Sequence, residues 1–138
     1  MTQISLEKLR KEYGRLIAVD DLTLKIQDKT LVSLLGPSGC GKTTTLKMIA
    51  GLLTPTSGTI CFDDKDVTAL SPRDRRIGLV FQDYAVFTHM TAYENIAYGL
   101  KIRRLGETEV HKEVTDIAEL LRISEILGLS LIHISEPT

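Results

Sequence analysis

The sequence of 138 residues predicts an α/β fold, and two observations support this prediction. An apolar run at residues 31–35 leads directly into a glycine-rich loop, residues 36–43, which leads into a helix-like stretch at residues 42–50. Further short apolar runs alternate with amphipathic stretches along the rest of the chain. Strands that alternate with helices are typical of α/β proteins.

Five apolar runs are predicted to be strands. Residues 4–9, 22–26 and 30–35 come first; the second alternates, and the third is apolar enough to be buried on both faces. Residues 27–29 supply the turn between the latter two. The remaining two predicted strands are residues 59–62, closed by an Asp-Asp turn, and residues 77–81.

The helix that follows the glycine-rich loop has an apolar stripe with helical spacing. Its members, Leu46, Ile49, Ala50 and Leu53, stand at i, i+3, i+4 and i+7, so the stripe is predicted to face the core. A glycine at 51 and a proline at 55 mark its end.

Three further helix starts carry capping signals or a helical stripe. Ser71 before Pro72 is typical of an N-cap followed by proline at the first helical position. Thr91 and Glu94 form a capping box that predicts a helix to about residue 103. After a glycine at 106, residues 107–121 predict another helix, with Val110, Val114, Ile117 and Leu121 along one face.

The glycine-rich loop has the pattern G-x4-G-K-T, which is typical of a phosphate-binding P-loop. Glycines allow positive φ and turn successive N–H groups towards a polyphosphate, and the following helix presents its positive end to the same anion. Lysine reaches the β- and γ-phosphates, and the threonine hydroxyl binds magnesium. The alternative is a plain glycine-rich turn into a helix. The predicted nucleotide-binding residues are Gly36, Pro37, Ser38, Gly39, Cys40, Gly41, Lys42, Thr43 and Thr44, with Thr43 as a metal ligand.

Composition restricts the function further. The formal net charge is −1, with 43% hydrophobic and 25% charged residues, which fits one ordinary globular domain and offers no general attraction for nucleic acid. The mixed run at residues 73–76 is interpreted as a solvated turn. No apolar stretch approaches the ~20 residues of a membrane span, and the N-terminus lacks a signal-peptide core.

Two cysteines, Cys40 and Cys61, lie in the loop and in a predicted strand, so a disulfide is not expected and a reducing compartment fits. Cys40 stands near a helix N-terminus, and we expect it to react readily with alkylating agents unless ATP covers it. The alternative is that Cys40 is only a small residue that fills the loop.

Three motifs outside the loop carry a family resemblance: Tyr13-Gly14, residues 80–84 (Val-Phe-Gln-Asp-Tyr) and residues 90–96 (Met-Thr-Ala-Tyr-Glu-Asn-Ile). With the loop, they resemble the ATP-binding subunit of ABC transporters, over roughly residues 6–127. Residues 50–52, 55–58 and 66–68 are most similar to bacterial and archaeal importers of sugars and related solutes. The resemblance implies a P-loop NTPase fold, a RecA-like core with an antiparallel β subdomain, cut short at the start of the helical subdomain.

The resemblance also implies roles for two residues. Tyr13 matches the aromatic residue that stacks on adenine, although it is also compatible with a half-buried tyrosine at a strand end. Gln82 matches the glutamine that contacts magnesium and the attacking water, and that couples the nucleotide site to the membrane subunits. A side-chain amide suits that role because it donates and accepts without charge.

Partners follow from the same resemblance. Five of the seven aromatic residues fall between residues 81 and 98, where the family receives a short helix of the transmembrane permease. We expect the surface from Tyr84 to Tyr98 to be that docking site, with core packing as the alternative for Tyr93 and Tyr98. The family also forms a head-to-tail dimer of ATPase subunits at the cytoplasmic face of the membrane. The five aromatic residues between residues 81 and 98 are Phe81, Tyr84, Phe87, Tyr93 and Tyr98.

The histidines predict no separate site. His89 is interpreted as a surface loop residue. His111 and His133 are too scattered to form a metal site with any pair of carboxylates.

Several family motifs do not occur in the sequence: a Leu-Ser-Gly-Gly-Gln signature, an apolar strand that ends in Asp-Glu, and a switch histidine. Because the Asp-Glu pair supplies the carboxylate that activates water, we expect weak nucleotide binding and hydrolysis near background. That strand also lies beside the P-loop strand in the family. Leu31, Val32, Leu34 and Leu35 are therefore expected to lose covering neighbours, with poor solubility as a result.

The final residues define a predicted boundary. Residues 1–128 fit a partial ABC-type ATP-binding domain, whereas residues 129–138 resemble translated sequencing adaptor and are expected to be non-native. Two other function classes stay open. One is a nucleotide-binding module of a non-transport ABC ATPase, and the other is a binding domain that keeps the loop without catalysis.

Overall fold

The structure is a computed structural model that describes residues 2–130 and residue 132. The chain divides after Leu79 into two compact units, and each unit is built from elements that are adjacent in sequence. The first unit contains the sheet and the helix that follows the glycine-rich loop, and the second unit contains the two longest helices.

The first unit is built on a four-stranded antiparallel sheet with the strand order β2-β1-β3-β4. This sheet is the antiparallel β subdomain that the sequence predicts, although β1 and β2 are longer than expected. Strand β4 was not predicted and pairs with the end of β3 after the Asp-Asp turn. The strands are β1 (Ile4–Tyr13), β2 (Leu16–Ile26), β3 (Ser57–Phe62) and β4 (Lys65–Asp66).

One face of the sheet packs against helix α1 (Lys42–Ala50), which begins and ends where the sequence predicts. Met48 is fully buried in the shared core, and Thr45 and Ala50 are buried beside it. The predicted apolar stripe is therefore partly wrong, because Leu46 is 47% exposed. Residues 46 and 48 point to opposite sides of a helix, so only one of them can face the sheet. The core residues are Leu6, Leu9, Val19, Met48, Ile60, Phe62 and Val67, with Ile49 and Leu53 packed against them.

Helix α2 (Pro72–Arg75) begins at the predicted cap, where the Ser71 side chain accepts from the Asp74 N–H. Its last residue, Arg75, is only 5% exposed. The buried guanidinium donates hydrogen bonds to the carbonyl oxygens of Met48, Ile49, Thr68 and Leu70. Burial lowers the pKa of Arg75 from its usual value, and the four carbonyl partners compensate for the lost hydration.

Two predicted strands are not formed. Residues 30–35 and 77–81 have no strand conformation, so the prediction of a strand buried on both faces is wrong. Leu31 is 98% exposed and Leu35 is 90% exposed, as expected for a segment without covering neighbours. A strand is stabilised by hydrogen bonds to the strands beside it. Among the described residues, none forms a ladder with either segment.

The second unit is built from helices α3 (Ala92–Ile102) and α4 (Glu107–Leu121), followed by a 3₁₀ turn at Ser124–Ile126. The capping box is confirmed: the Thr91 side chain accepts from the Glu94 N–H, and the Glu94 carboxylate accepts from the Thr91 N–H at 2.8 Å. The buried core between the helices consists of Ala97, Val110 and Val114, with Tyr93, Ile96, Leu100, Leu105 and Leu127 packed against it.

The loop before α3 is fixed by the side chain of Asn95. Its Oδ1 accepts from the Phe87 N–H at 2.8 Å, and its Nδ2 donates to the Phe87 carbonyl at 3.0 Å and to the Thr91 carbonyl at 2.9 Å. A single amide therefore satisfies both polar backbone groups of Phe87, which an amide can do because it donates and accepts.

The predicted boundary at residue 128 stays a prediction. Leu129 lies next to the start of α3, because its carbonyl accepts from the Ala92 N–H at 3.0 Å. Residue 131 and residues 133–138, including His133, lie outside the described residues. Within the described part of the chain, none of the helices combines the length and apolar character that a bilayer crossing requires.

Candidate functional site: the glycine-rich loop and its surroundings

The loop at residues 36–41 joins the irregular segment 31–35 to helix α1, and its last residue is the N-cap of that helix. Gly41 has φ +91, which is strained for any residue with a side chain. A Cβ at Gly41 would also lie 2.3 Å from the carbonyl oxygen of Ala18 and 3.2 Å from a methyl of Val19. Glycine is thus required here both for its backbone conformation and for the close approach of the loop to β2.

The ammonium group of Lys42 lies within the loop. Its Nζ donates to the carbonyl oxygens of Gly36 at 2.7 Å and Pro37 at 2.6 Å, and it is 3.2 Å from Cys40 Sγ. These contacts place a positive charge beside the start of α1, where the N–H groups of the first turn have no partner within the helix. Both features favour an anion.

The loop leaves little room for side chains on its inner side. A Cβ at Gly36 would lie 2.6 Å from Cys40 Sγ and 3.9 Å from Lys42 Nζ. Thr43 is exposed in the first turn of α1 and Thr44 is half-buried, so the Thr43 hydroxyl is accessible to a ligand. The next hydroxyl, that of Thr45, donates to the Gly41 carbonyl at 2.9 Å. These residues fit the phosphates and the magnesium ion of a nucleotide, because they combine glycines, a cation and a free hydroxyl around a helix start.

The two cysteines have different surroundings. Cys40 is exposed in the loop, and Cys61 is half-buried in β3. Burial raises the pKa of the Cys61 thiol, and the nearby carboxylates of Asp66, Glu7 and Asp64 raise it further. Cys61 is therefore held in the unreactive thiol form.

Tyr13 stands at the end of β1 and is 49% exposed, so its ring is available to a ligand. Lys11, two residues earlier, lies over this ring with its Nζ 5.2 Å from the centroid. The same Nζ donates to the Thr54 carbonyl at 2.7 Å. Tyr13 belongs to the same unit as the glycine-rich loop, and Lys11 pairs with Val19, the residue beside Gly41.

Gln82 belongs to the second unit and is exposed in a turn. Its role as a contact of magnesium and water stays a prediction.

The predicted aromatic surface divides into two parts. Tyr93 packs against the core of the second unit, in agreement with the alternative that the sequence left open. Phe81, Tyr84 and Tyr98 are exposed, and the Tyr98 ring lies 4.5 Å from the ring of Phe87.

The second unit also contains a cavity of about 550 Å³ on the side of α3 and α4. None of its lining residues was predicted to bind nucleotide. The residues that line it are Tyr93, Lys101, Leu105, Glu107, Val110 and His111.

Sequence reasoning missed two residues of the first unit, Lys11 and Arg75. Lys11 stands two positions before Tyr13, and alternate residues of a strand share a face. That spacing could have indicated the contact. Arg75 lies in a run of mixed charges, and its sequence context carries no signal for burial.

The glycine-rich loop ends in a positive-φ N-cap, and Lys42 folds back onto its carbonyl groups, as is typical of proteins of the P-loop class. The sequence matches the family model described as ABC transporter over residues 19–136, which is more than half of the chain. The chain therefore belongs to the ABC transporter family.

Three curated relatives have similar sequences. The sn-glycerol-3-phosphate import ATP-binding protein UgpC of Bordetella avium (strain 197N) is 43% identical over 92% of this chain. The osmoprotective compounds uptake ATP-binding protein GgtA of Synechocystis sp. (strain ATCC 27184 / PCC 6803 / Kazusa) is also 43% identical over 92% of the chain. The sulfate/thiosulfate import ATP-binding protein CysA 2 of Rhizobium meliloti (strain 1021) is 44% identical over 88% of it. The chain spans only 36%, 35% and 34% of these three relatives.

A solved structure confirms the predicted fold class. The crystal structure of a nucleotide-free ATP-binding cassette from an ABC transporter superposes with a TM-score of 0.77 at 25% identity. The match covers 95% of this chain and 58% of that one. The three relatives named above import different solutes, so similarity alone does not favour sugars over other cargo.

Proposed function

We propose that this chain binds ATP with magnesium at residues 36–44, as part of the ATPase subunit of an ABC importer. The observation that carries the proposal is the position of Lys42 Nζ, inside the loop and beside the free N–H groups of α1. A triphosphate in that place offers oxygen acceptors to both groups and carries the opposite charge.

Each loop residue then has a defined task. Lys42 holds the β- and γ-phosphates in exchange for one or more of its present contacts to the Gly36 and Pro37 carbonyls. Thr43 gives its hydroxyl to magnesium, and Gln82 is the second protein group proposed to contact the metal and the attacking water. Tyr13 stacks on adenine with its exposed ring. The metal would balance the phosphate charge.

In the proposed assembly the intact protein is peripheral to the membrane at its cytoplasmic face. It contacts permease subunits through the exposed part of the region from Tyr84 to Tyr98 and forms a head-to-tail dimer with a second ATPase subunit. The exposed aromatic rings of Tyr84 and Tyr98 supply the kind of anchor that interfaces use. The names of the relatives support import as the direction of transport.

The 138 residues alone are proposed to bind nucleotide weakly and to hydrolyse it near background. The sequence contains neither the Asp-Glu pair nor the signature of the family. Leu31 and Leu35, directly before the loop, are exposed and, among the residues that the structure describes, pack against nothing that would hold the loop at this end. The loop is therefore held mainly at its other end, where it joins α1.

A binding experiment tests the proposal. The affinity of the chain for Mg·ATP is measured by calorimetry for the unmodified chain, for Lys42→Ala and for the matched control Lys47→Ala. Lys47 is an exposed lysine of the same helix. We expect Lys42→Ala to weaken binding by at least about tenfold, because a charge-assisted hydrogen bond contributes about 1.5–3 kcal/mol, and Lys47→Ala to leave it unchanged. Equal affinity of the Lys42→Ala chain and the unmodified chain would contradict the proposal.

A turnover assay separates the remaining alternatives. Phosphate release by the chain is expected to stay near background. Release that Lys42→Ala abolishes would show that the chain is a complete catalyst, against the proposed deficiency. ATP binding without turnover by a longer parent protein would instead favour a non-catalytic binding domain.

A further inference from the structure

We propose that Lys11 is a positioning residue for the nucleotide base, and that its ammonium group covers one face of Tyr13 so that the base stacks on the other. The inference rests on the proposed function, since it assumes that the Tyr13 ring receives adenine. It adds a residue to the site that the sequence motifs do not contain, and it states what that residue contributes.

The first observation is the contact itself. Lys11 Nζ lies 5.2 Å from the Tyr13 ring centroid, within the range of a cation–π interaction. Lys11 and Tyr13 alternate along β1, so their side chains leave the strand on the same face. Lys11 is half-buried, whereas Tyr13 is 49% exposed, so part of the Tyr13 side chain is free to meet a ligand.

The second observation is that the ammonium group is held in place. Nζ donates to the Thr54 carbonyl at 2.7 Å, in the loop that follows α1. Two hydrogen bonds join this loop to β1 nearby: the Thr56 N–H donates to the Arg10 carbonyl at 2.8 Å, and the Glu12 N–H donates to the Thr56 side-chain Oγ1 at 3.0 Å. The lysine is therefore not a freely moving surface side chain.

The third observation concerns location. Lys11 pairs with Val19 across the β1–β2 ladder, and Val19 and Ala18 are the residues that a Cβ at Gly41 would meet. Tyr13 is two residues further along the strand, about 7 Å. The backbone of Tyr13 thus lies in the same β1–β2 ladder as the part of β2 that Gly41 approaches.

Two physical effects follow from this arrangement. A cation on one face draws the π-electron density of the ring towards itself, which makes the opposite face a better partner for an electron-rich base. The lysine also limits the orientations of the ring, so less conformational freedom is lost when a base binds. Both effects act on the base and not on the phosphates.

This distinction gives the test. The full chain is titrated with Mg·ATP and, separately, with Mg·tripolyphosphate. The dissociation constant for Mg·tripolyphosphate divided by that for Mg·ATP measures the contribution of the nucleoside. We expect Lys11→Met to reduce this ratio by about two- to fivefold, the size of an exposed cation–π interaction, with tripolyphosphate affinity unchanged. Lys11→Arg keeps a cation over the ring and is expected to keep the ratio.

Two further variants separate charge from structure. Lys11→Gln keeps a donor for the Thr54 carbonyl but has no charge, so it is expected to lower the ratio as Lys11→Met does. Lys25→Met removes an exposed lysine of β2 and controls for net charge; it is expected to change neither constant. Circular dichroism at the titration temperature identifies any variant that is unfolded, and the other variants then decide the outcome.

The possible results are distinct. A ratio that Lys11→Met and Lys11→Gln leave unchanged, or equal losses for ATP and tripolyphosphate, would overturn the inference while ATP binding by the loop stands. A ratio restored by Lys11→Gln would overturn the role of the charge. If the unmodified chain does not bind ATP, or binds it as well with Lys42→Ala, the proposed function fails and the inference fails with it.

Discussion

The guanidinium of Arg75 donates a hydrogen bond of 2.7 Å from Nη1 to the carbonyl oxygen of Met48, in the last turn of the helix that follows the phosphate loop. The same nitrogen donates to the Ile49 carbonyl at 2.8 Å. The final carbonyls of a helix have no partner within it, and the helix dipole gives this end a partial negative charge. Arg75 therefore places a positive charge at the end of α1 where the helix dipole is negative.

Loss of Arg75 is expected to destabilise the first unit. Arg75→Met keeps much of the apolar stem but leaves the carbonyls of Thr68 and Leu70, and those of α1, without the guanidinium. We expect the free energy of unfolding to fall by about 2–4 kcal/mol, measured by urea denaturation. Arg73→Met in the same short helix is the control, because Arg73 is exposed. Equal effects of the two variants would contradict the assigned role.

Two glycines of the loop provide a matched pair. Gly39 and Gly41 both have positive φ, but a Cβ at Gly39 would meet nothing within 4 Å, whereas one at Gly41 would meet the Ala18 carbonyl at 2.3 Å. Gly39→Ala is expected to cost about 1–2 kcal/mol from the left-handed backbone alone. Gly41→Ala is expected to cost more, by about 1–3 kcal/mol of overpacking. Thermal unfolding of both variants measures the difference, and a Gly39→Ala variant as unstable as Gly41→Ala would refute the close packing of the loop on β2.

The capping box of α3 gives a pH dependence. Hydrogen bonds from the backbone and the side chain of Thr91 lower the pKa of Glu94 below its usual value. A lowered pKa in the folded state means that the contribution of Glu94 to stability is complete above its unfolded pKa and is lost as the pH falls through the folded pKa. Glu94→Gln is therefore expected to melt at a lower temperature than the unmodified chain at neutral pH, with the difference narrowing in acid.

The control for that experiment is Glu113→Gln, because Glu113 is an exposed glutamate of α4. It is expected to leave the melting temperature unchanged at every pH. If the Glu94→Gln difference stays constant down to pH values below the folded pKa, the pH dependence does not come from the capping box. Thr91→Ala removes the other half of the box and is expected to cost about 1 kcal/mol.

Cysteine labelling tests accessibility in the loop. Iodoacetamide is expected to modify exposed Cys40 quickly and half-buried Cys61 slowly, because burial raises the pKa of Cys61. Mg·ATP is expected to slow the labelling of Cys40 only, as followed by peptide mass spectrometry. Labelling of Cys40 that saturating ATP does not change would place the nucleotide away from the loop.

The final residues are tested at the level of DNA. Long-read sequencing of the source across codons 120–140 tests the proposal that residues 129–138 are non-native, and we expect a reading frame that departs from this sequence near residue 129. A stop codon confirmed directly after Thr138 would contradict the expectation that residues 129–138 are non-native.

Local signals in the sequence predicted the structure well. The capping box at Thr91, the proline-led start of α2 and the bounds of α1 each depend on residues within one helical turn, and all three are confirmed. The glycine-rich loop is a local signal of the same kind, and its role in binding phosphate stays a prediction. Its conformation depends on its own glycines and on the helix that follows.

Features that depend on distant partners were not predictable. Residues 30–35 have the apolar composition of a buried strand, but a strand also needs neighbours to pair with, and composition does not state whether they are present. Leu46 and Met48 are both apolar, and only the position of the sheet decides which is buried. Arg75 gains its role from carbonyl groups up to 27 positions away, and the Thr54 carbonyl that holds Lys11 over Tyr13 is 43 positions away; no local pattern encodes either contact.

The loop that follows α1 is bonded to β1 through backbone groups of both elements, with the Thr56 N–H on the Arg10 carbonyl and the Glu12 N–H on the Thr56 hydroxyl. Each of these amides exchanges its hydrogen only when its hydrogen bond across the junction opens. Their hydrogen exchange should therefore be governed by one shared opening event, with similar protection factors for Glu12 and Thr56. The edge of the sheet and the segment leaving the phosphate-loop helix would then unfold as a single cooperative unit.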